Sequence, residues 1–379
     1  MKYCNRCLMP ETQEKIEFDD LGICLACQSS EDKMHINWKE KDKELRKILN
    51  DVKKKSGNNY DCILPISGGK DSFFQAHLLT QVYNVKPLAV TFSHNWFTKT
   101  GIHNLNLCLE TFNLDHIQFT PARNLVNKMA KMSLKKIGDA CWHCHTGIGV
   151  FPIQIAIKFN IPFIVYGESS AEHSGRDKYG TQKNKYNQDY FLKQSAKIKP
   201  DDVISDELTK KDLHPLQMPS AKEFKKAKVK GIFLGDYVFW DEEKQVEFVK
   251  KEYGWKETDM EGTYKKYKSV ECIMSGVHDF SCYLKRGFGR ASFQASTDIR
   301  KGILTRDEAK KLVAQYDAER PYVLDYFLKI TGYTEEEYYK ILEEQKHEKI
   351  KNIKLKIKNK NRSHSEKLEP YPIQIIKEK

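Results

Sequence analysis

The chain has 379 residues, of which 40% are hydrophobic, and its 64 Lys or Arg against 52 Asp or Glu give a formal net charge of +12. This length suits about two or three domains, and the apolar content is sufficient for a sizeable core, which excludes wholesale disorder. No run of residues approaches the ~18 apolar residues of a membrane span, and the N-terminus has no apolar stretch of the signal-peptide kind. We therefore expect a cytoplasmic protein with no membrane partner.

Two Cys-x-x-Cys pairs lie near the N-terminus, Cys4/Cys7 and Cys24/Cys27, with sixteen residues between them. Four thiolates saturate a tetrahedral zinc ion and leave no position for water, so this spacing indicates a structural site. A segment this short has little other means of building a core. Residues 1–32 are therefore predicted to form a zinc ribbon.

A charged stretch follows the ribbon, and its apolar residues Leu45, Leu49 and Val52 have the spacing of one buried helical stripe. We assign residues 33–59 to a helical linker.

From Tyr60 onward, short apolar runs alternate with helical patterns, which is typical of a parallel sheet covered by helices. The predicted fold class is α/β with a doubly wound parallel sheet, in a domain spanning residues 60–235. Within this domain, the polar stretch 168–230 is predicted to be a long loop or insertion that faces the substrate. Strands are predicted at 60–66, 87–92, 115–119, 161–166 and 231–235, and helices at 73–82, 101–112, 123–137 and 146–159.

Residues 236–345 are predicted to be mostly helical, and two helices begin with capping boxes, at Thr305 and Thr334. Residues 346–379 form a basic tail. Eight Lys or Arg residues and one Glu lie between positions 346 and 362, so most of the excess charge is located there. A solvated terminus is the simpler interpretation of this run, and a nucleic-acid partner is not expected because the rest of the chain is nearly balanced.

The segment Ser67-Gly68-Gly69-Lys70-Asp71-Ser72 lies between a predicted strand and a predicted helix. Backbone amides around the glycines can converge there on a phosphate, Lys70 supplies positive charge, and Asp71 can reach a magnesium ion. It is not a Walker A loop. In a doubly wound fold, ligands bind beyond the carboxyl ends of the strands, where four further candidates fall: Ser93, His94, Gly167 and Glu168.

The segment Cys141-Trp-His-Cys144-His145 is ambiguous. Two thiols at this spacing can bind a metal, form a redox pair or line a pocket. His143 and His145 are candidate ligands or substrate contacts. The remaining cysteines, Cys62, Cys108, Cys272 and Cys282, are expected to be small buried hydrophobic residues.

The segment Ser67–Ser72 resembles the SGGxDS motif of the PP-loop ATP pyrophosphatases. These enzymes have an adenine nucleotide alpha hydrolase-like fold and cleave ATP between the α and β phosphates. The ribbon, the Cys141/Cys144 pair and Gly167-Glu168-Ser169 accompany it in order. Together they resemble the N-acetyl sugar amidotransferases of bacterial LPS, O-antigen and nonulosonic-acid biosynthesis, over about residues 1–320.

This resemblance implies an enzyme that uses ATP, Mg²⁺ and Zn²⁺, with Lys70 and Asp71 as catalytic residues. ATP would adenylate an acetamido oxygen, and ammonia would then replace it to give an acetamidino group. The ammonia would come from a class I glutaminase subunit, through a cyclase-like subunit of the histidine-biosynthesis type. Relatives that thiolate tRNA hold an iron–sulfur cluster, which here would join Cys141 and Cys144 to Cys272 or Cys282.

Two other functions remain open from the sequence. A tRNA thiolase or lysidine-type enzyme would use the same loop, and a zinc-ribbon binding protein would have a degenerate nucleotide site. The cationic side chains between His278 and Arg300 could bind the diphosphate of a nucleotide sugar, or be ordinary surface charge. Trp240 and Trp255 could stack on a sugar or base, or be core residues.

Overall fold

The computed structural model describes residues 1–169, 171, 179 and 197–359. Its central sheet has five parallel strands in the order β3-β2-β1-β4-β5, which confirms the predicted parallel α/β architecture. The strand order reverses between β1 and β4, and this switch point is where such sheets bind ligands. The strands are β1 (Cys62–Pro65), β2 (Pro87–Phe92), β3 (His116–Phe119), β4 (Phe163–Tyr166) and β5 (Lys230–Phe233).

In the described residues, two helices precede β1, others lie between the strands, and the rest make up most of the C-terminal region. They are α1 (Leu25–His35), α2 (Trp38–Ser56), α3 (Lys70–His77), α4 (Lys99–Thr111), α5 (Arg123–Ile137), α6 (Trp142–Lys158), α7 (Ala221–Ala227), α8 (Glu242–Tyr253), α9 (Ser275–Arg286), α10 (Arg290–Arg300), α11 (Arg306–Tyr316), α12 (Val323–Thr331) and α13 (Glu335–Glu344). A short parallel pair, β6 (Glu319–Arg320) and β7 (Lys358–Asn359), joins the end of the described chain to the helices.

Each face of the sheet has its own hydrophobic core, because successive side chains of a strand point to opposite faces. Ile63 belongs to a core that contains residues of α5, α6 and the C-terminal helices. Its neighbour Leu64 belongs to a second core with residues of α2, α3, α4 and α8. Helices therefore cover both faces of the sheet, as expected for a doubly wound fold.

The predicted elements agree closely with the observed ones where the local pattern is regular. The capping boxes at Thr305 and Thr334 are both present. One helix, α6, begins at Trp142 rather than at residue 146, which brings Cys144 and His145 into its first turn. In the predicted insertion 168–230, positions 170, 172–178 and 180–196 lie outside the described residues, and the part from 197 contains short turns and α7.

The N-terminal ribbon docks on the C-terminal helices. Arg306 Nη1 donates to the carbonyl oxygens of Cys4 (2.8 Å) and Asn5 (3.0 Å), and Thr12 Oγ1 donates to the Arg286 carbonyl oxygen (2.6 Å). Phe288 is buried among the ribbon cysteines. The ribbon is thus part of one packed unit with the end of the chain.

Most of the described part of the predicted basic tail is exposed, as expected for a solvated segment, but a few of its residues pack on the helices. Ile350 is buried, and the backbone N–H of His347 donates to the Lys285 carbonyl oxygen (2.8 Å). Apolar residues between the lysines explain this packing, since Leu355 also contacts the core. Residues 360–379 lie outside the described residues. Within the described ranges, every helix is too short or too polar to cross a bilayer.

Candidate functional site

The four ribbon cysteines are buried and form a compact group. Cys4 Sγ lies 3.8 Å from Cys27 Sγ, and Cys7 Sγ lies 3.7 Å from Cys24 Sγ. All four sulfurs lie within 4.8 Å of one another. Zinc–sulfur bonds of about 2.3 Å in a tetrahedron separate the sulfurs by about 3.8 Å, so the thiols fit a metal such as zinc.

The loop Ser67–Ser72 connects β1 to α3 at the switch point. Gly68 has a φ of +86°, and a Cβ there would lie 2.6 Å from the Gly101 carbonyl oxygen, so both its backbone conformation and its surroundings require glycine. Gly69 precedes α3, and no side chain caps that helix. The N–H groups of its first turn therefore have no competing side-chain acceptor. Ser72 Oγ fastens the loop by donating to the Gly69 carbonyl oxygen (3.0 Å).

Lys70 and Asp71 form an ion pair inside a group of carboxylates. Lys70 is only 3% exposed, and its Nζ lies 3.9 Å from a carboxylate oxygen of Glu242. Burial would lower the pKa of Lys70, but Asp71, Glu242 and Glu168 outweigh burial and raise it. Burial and the negative charge of Glu168 raise the pKa of Asp71 to about 7. Because Asp71 Oδ1 is buried without a hydrogen-bond partner, this corner of the switch point suits an additional cation.

The segment after β2 carries buried polar groups. His94 is 5% exposed, and its Nδ1 accepts from the Trp96 backbone N–H (3.1 Å), which leaves Nε2 buried without a partner. Burial and the nearby His143 lower the pKa of His94 to about 3, so its ring is neutral. Ser93 is buried too, and its Oγ accepts from the Asn95 backbone N–H (3.2 Å).

Several neighbouring buried polar atoms share this lack of a partner. They are Asn95 Oδ1, Trp96 Nε1, His143 Nδ1 and Thr146 Oγ1, from the β2 exit and the start of α6. Buried polar atoms in proteins are nearly always hydrogen-bonded, so this concentration indicates a place for a polar ligand or for water. The motif around Ser93-His94 could be found from the sequence, whereas Trp96 and Thr146 have no spacing that reveals them.

The loop that follows β4 faces the segment Ser67–Ser72 across the switch point. A Cβ on Gly167 would lie 3.3 Å from the Trp240 ring and from Gln75 Oε1. Glu168 follows and interacts with both Lys70 and Asp71. The structure thus places Glu168 beside Lys70 and Asp71 and places Gly167 against Gln75 and Trp240, while nucleotide binding by these residues stays a prediction.

Two residues from distant parts of the chain complete this site: Trp255, for which the sequence suggested stacking or core packing, and Glu271, to which the sequence assigned no role. Trp255 Nε1 donates to the Gly68 carbonyl oxygen (3.1 Å). A Cβ on Gly69 would lie 3.5 Å from Glu271 Oε2, so Glu271 borders the loop. Burial raises the pKa of Glu271. Neither residue belongs to a local motif. Trp255 lies 187 residues from Gly68 in the sequence, and Glu271 lies farther still from the loop.

The Cys141 region lies next to this site and holds a second group of ligand-type atoms. Atoms of Asp139, Cys141 and His278 lie within 4.8 Å of one another. Among the described residues, this group and the ribbon cysteines are the two sets of three or more potential ligands found. Burial raises the pKa of Cys141, and it raises the pKa of Cys144 to about 12. Cys144, Cys272 and Cys282 are partly exposed and belong to neither set.

A cavity of about 240 Å³ adjoins the second group, between the ribbon and α9. Its charged lining includes Glu14, Asp139, Lys197 and Lys285. Burial lowers the pKa of Lys285 to about 8. The cavity is thus lined by both signs of charge and also by His278.

Comparison with known proteins relates the C-terminal region to a known family. Residues 261–362 match the family model of the WbpG-like C-terminal domain of LPS biosynthesis proteins. This region contains Glu271 and His278, which lie at the two candidate sites. The chain is also 23% identical over 309 residues to an uncharacterized protein of Methanocaldococcus jannaschii, which covers 81% of this chain and 91% of the archaeal protein. The family match supports a role in polysaccharide biosynthesis.

Proposed function

We propose that the protein is an ATP-dependent amidotransferase that converts the acetamido group of an N-acetylated sugar into an acetamidino group, for the biosynthesis of a surface polysaccharide. The observation that carries this proposal is the Ser67–Ser72 loop at the switch point. There, the unpartnered Asp71 Oδ1 lies beside the buried Lys70, and Glu271 of the WbpG-like region borders the loop. A nucleotide bound at this loop would therefore lie beside the region that matches the WbpG-like domain.

The loop residues would bind the triphosphate of ATP. Amides at the start of α3 and the serine hydroxyls would donate to its oxygens, and Lys70 would neutralise charge that develops on phosphorus. Asp71 and Glu168 are the residues that would hold Mg²⁺, which supplies further charge neutralisation when bound. The protein contributes positioning and electrostatics, as in other phosphoryl and nucleotidyl transfers.

Adenylation activates the amide oxygen so that ammonia can replace it. The amide oxygen attacks the α-phosphorus and expels pyrophosphate, so the oxygen becomes part of an AMP leaving group. Ammonia then adds to the amide carbon, the C–O bond breaks, and AMP departs with the oxygen. The products are the amidine, AMP and pyrophosphate. The buried, neutral His94 and His143 near the β2 exit are suited to bind an uncharged part of the substrate.

Ammonia would reach the site from a separate class I glutaminase subunit, with a cyclase-like subunit between the two. Cys4 is not a candidate glutaminase nucleophile, because it belongs to the ribbon group. An iron–sulfur cluster at Cys141 and Cys144 with a third cysteine stays a prediction.

The test is release of AMP and pyrophosphate from ATP with ammonium chloride as the nitrogen source. Acceptors should be diacetamido nucleotide sugars, nonulosonic acids and, separately, bulk tRNA. We expect sugar-dependent AMP release and a product in which O has been exchanged for NH. Asp71→Asn should lower the rate by about 10²-fold or more, since it removes a charge at the reacting phosphate.

Asp51→Asn is the matched control, because it changes an exposed carboxylate on α2 in the same way. Release of AMP with tRNA alone, or no sugar-dependent cleavage of ATP by folded protein, would contradict the proposal.

A further inference from the structure

We propose that Asp139, Cys141 and His278 form a second metal site, which takes a divalent ion of the zinc type and is separate from the ribbon. The three residues come from two parts of the chain, the α5–α6 connection and α9. Their ligand-type atoms lie within 4.8 Å of one another. This site goes beyond the amidotransferase proposal and does not depend on it.

The two carboxylate oxygens of Asp139 have different surroundings. Oδ1 accepts from His278 Nδ1 (3.0 Å) and from the Cys141 backbone N–H (2.9 Å). Oδ2 faces Lys197 Nζ (3.5 Å) and His145 Nδ1 (3.7 Å). Oδ1 is therefore the oxygen directed at the two other ligands, while Lys197 holds the opposite side of the carboxylate. Small rotations of the side chains would replace the Asp139–His278 hydrogen bond by two bonds to one ion.

The set of donor atoms favours zinc. One thiol sulfur, one imidazole nitrogen and one carboxylate oxygen are all ligands that zinc accepts, and a soft sulfur argues against Mg²⁺ or Ca²⁺. The ribbon, in contrast, offers four sulfurs and closes its ion completely. A site with three protein ligands keeps a fourth position open.

The burial of the group fits an ion that is held by protein on one side and accessible on the other. Asp139 and Cys141 are 3% and 6% exposed, whereas the His278 side chain is 26% exposed. His278 and Asp139 line the cavity of about 240 Å³, so a small ligand could reach the open position from there. His145 also lines the cavity, and its ring centroid lies 5.0 Å from that of His278, so it offers a further imidazole nitrogen beside the group.

This ligand set differs from the one that the Cys-x-x-Cys spacing suggests. Cys144 is one helical turn from Cys141 but lies outside the group, and Asp139 takes its place. The two assignments make opposite predictions for single substitutions, which allows a direct test.

The test is the metal content of the full-length chain, purified without chelators and measured by plasma mass spectrometry. We expect two zinc ions per wild-type chain. Asp139→Asn, Cys141→Ser and His278→Ala should each retain about one. Cys144→Ala and Cys272→Ala are the matched controls and should retain two.

A spectroscopic readout keeps the test valid if the Cys141 variant folds poorly. Cobalt substituted for zinc should give intense thiolate bands from the ribbon and a weaker set from the second site. His278→Ala changes a partly exposed side chain and should remove only the weaker set, with an unchanged circular dichroism spectrum. One metal ion per wild-type chain would overturn the proposal, and so would bound iron that is lost in Cys144→Ala.

Discussion

Asp317 illustrates how a single buried carboxylate can organise a helix start. It is 4% exposed. It accepts hydrogen bonds from the backbone N–H groups of Gly289 (2.8 Å) and Ala291 (2.9 Å) and from Ser292 Oγ (2.6 Å), and so caps α10. Burial raises its pKa to about 6, although these hydrogen bonds act in the other direction. The folded protein should therefore bind a proton here more tightly than the unfolded chain does.

We predict a specific pH dependence for the stability difference between wild type and Asp317→Asn. Between about pH 4 and pH 6 only the folded wild type keeps this proton, so its free energy of unfolding should fall relative to the variant as pH rises. The slope should reach at most about 1.4 kcal/mol per pH unit. Urea unfolding at matched pH values measures the difference. Asp259→Asn, at an 85% exposed side chain, controls for the loss of one charge. If the wild type's free energy of unfolding rose relative to that of Asp317→Asn between pH 4 and pH 6, the prediction would be contradicted.

At the same scale, local motifs revealed some site residues and not others. The ribbon cysteines and Ser67–Ser72 could be found because their chemistry depends on spacing within a few residues. Asp139 and Glu271 could not be found, because each joins its partners only through the tertiary fold. His278 has no local motif of its own, and its partner Asp139 lies 139 residues away.

At the scale of elements, the contact between α4 and the segment around Glu271 positions the loop. A Cβ on Gly101 would lie 2.5 Å from Glu271 Cα and 2.9 Å from its carbonyl oxygen. Ala in a helix is normally more stable than Gly by about 1 kcal/mol. Here the clash with backbone atoms should reverse the sign. Gly101→Ala should therefore lose about 1–3 kcal/mol, measured by urea unfolding.

Under the proposed function, the same variant should also bind ATP more weakly, because displacing Glu271 changes the surroundings of Gly69. Titration calorimetry with ATP checks this. Gly254→Ala is the control: its φ of +73° makes it strained as well, but a Cβ there would meet no atom within 4 Å. Equal ATP affinities for both variants would argue against this role of the contact.

Strands and regular helices could be predicted because their apolar periodicity is local. The start of α6 could not, since its first turn reads as a polar, cysteine-containing loop. The structure explains the earlier start: Asp139 Oδ1 accepts the N–H of Cys141 and turns the chain into the helix. Gly147 then allows close packing, because a Cβ would lie 2.3 Å from the Phe92 ring.

At the scale of the whole molecule, the ribbon and the C-terminal helices should lose stability together. Arg306 donates to carbonyl oxygens of the Cys4–Cys7 segment, including those of Cys4 and Asn5. We predict that Arg306→Met, or removal of zinc by a chelator, increases hydrogen exchange both in residues 1–32 and in α10 and α11. Lys310→Met on the same helix is the control, because its side chain is 57% exposed and faces solvent. Faster exchange confined to the ribbon would contradict this coupling.

Apolar runs and helical patterns alternate along the sequence, and most strands of the parallel sheet can be predicted from this alternation. The docking of the first residues on the last helices could not be predicted, because it depends on surface complementarity between distant segments. The docking of residues 346–359 was missed for a related reason, since their charge obscures the few apolar residues that pack.

This docking has a consequence for synthesis on the ribosome. Cys4 is translated early, but Arg306 follows 302 residues later. At about 5–20 residues per second, roughly 15–60 s pass between synthesis of the ribbon and synthesis of the helix on which it docks. During that interval, a zinc ion held by its cysteines would be the ribbon's main source of order, because so short a segment has little core of its own. Cells depleted of zinc should therefore accumulate newly made chains that are cleaved near the N-terminus before the rest of the protein can protect it.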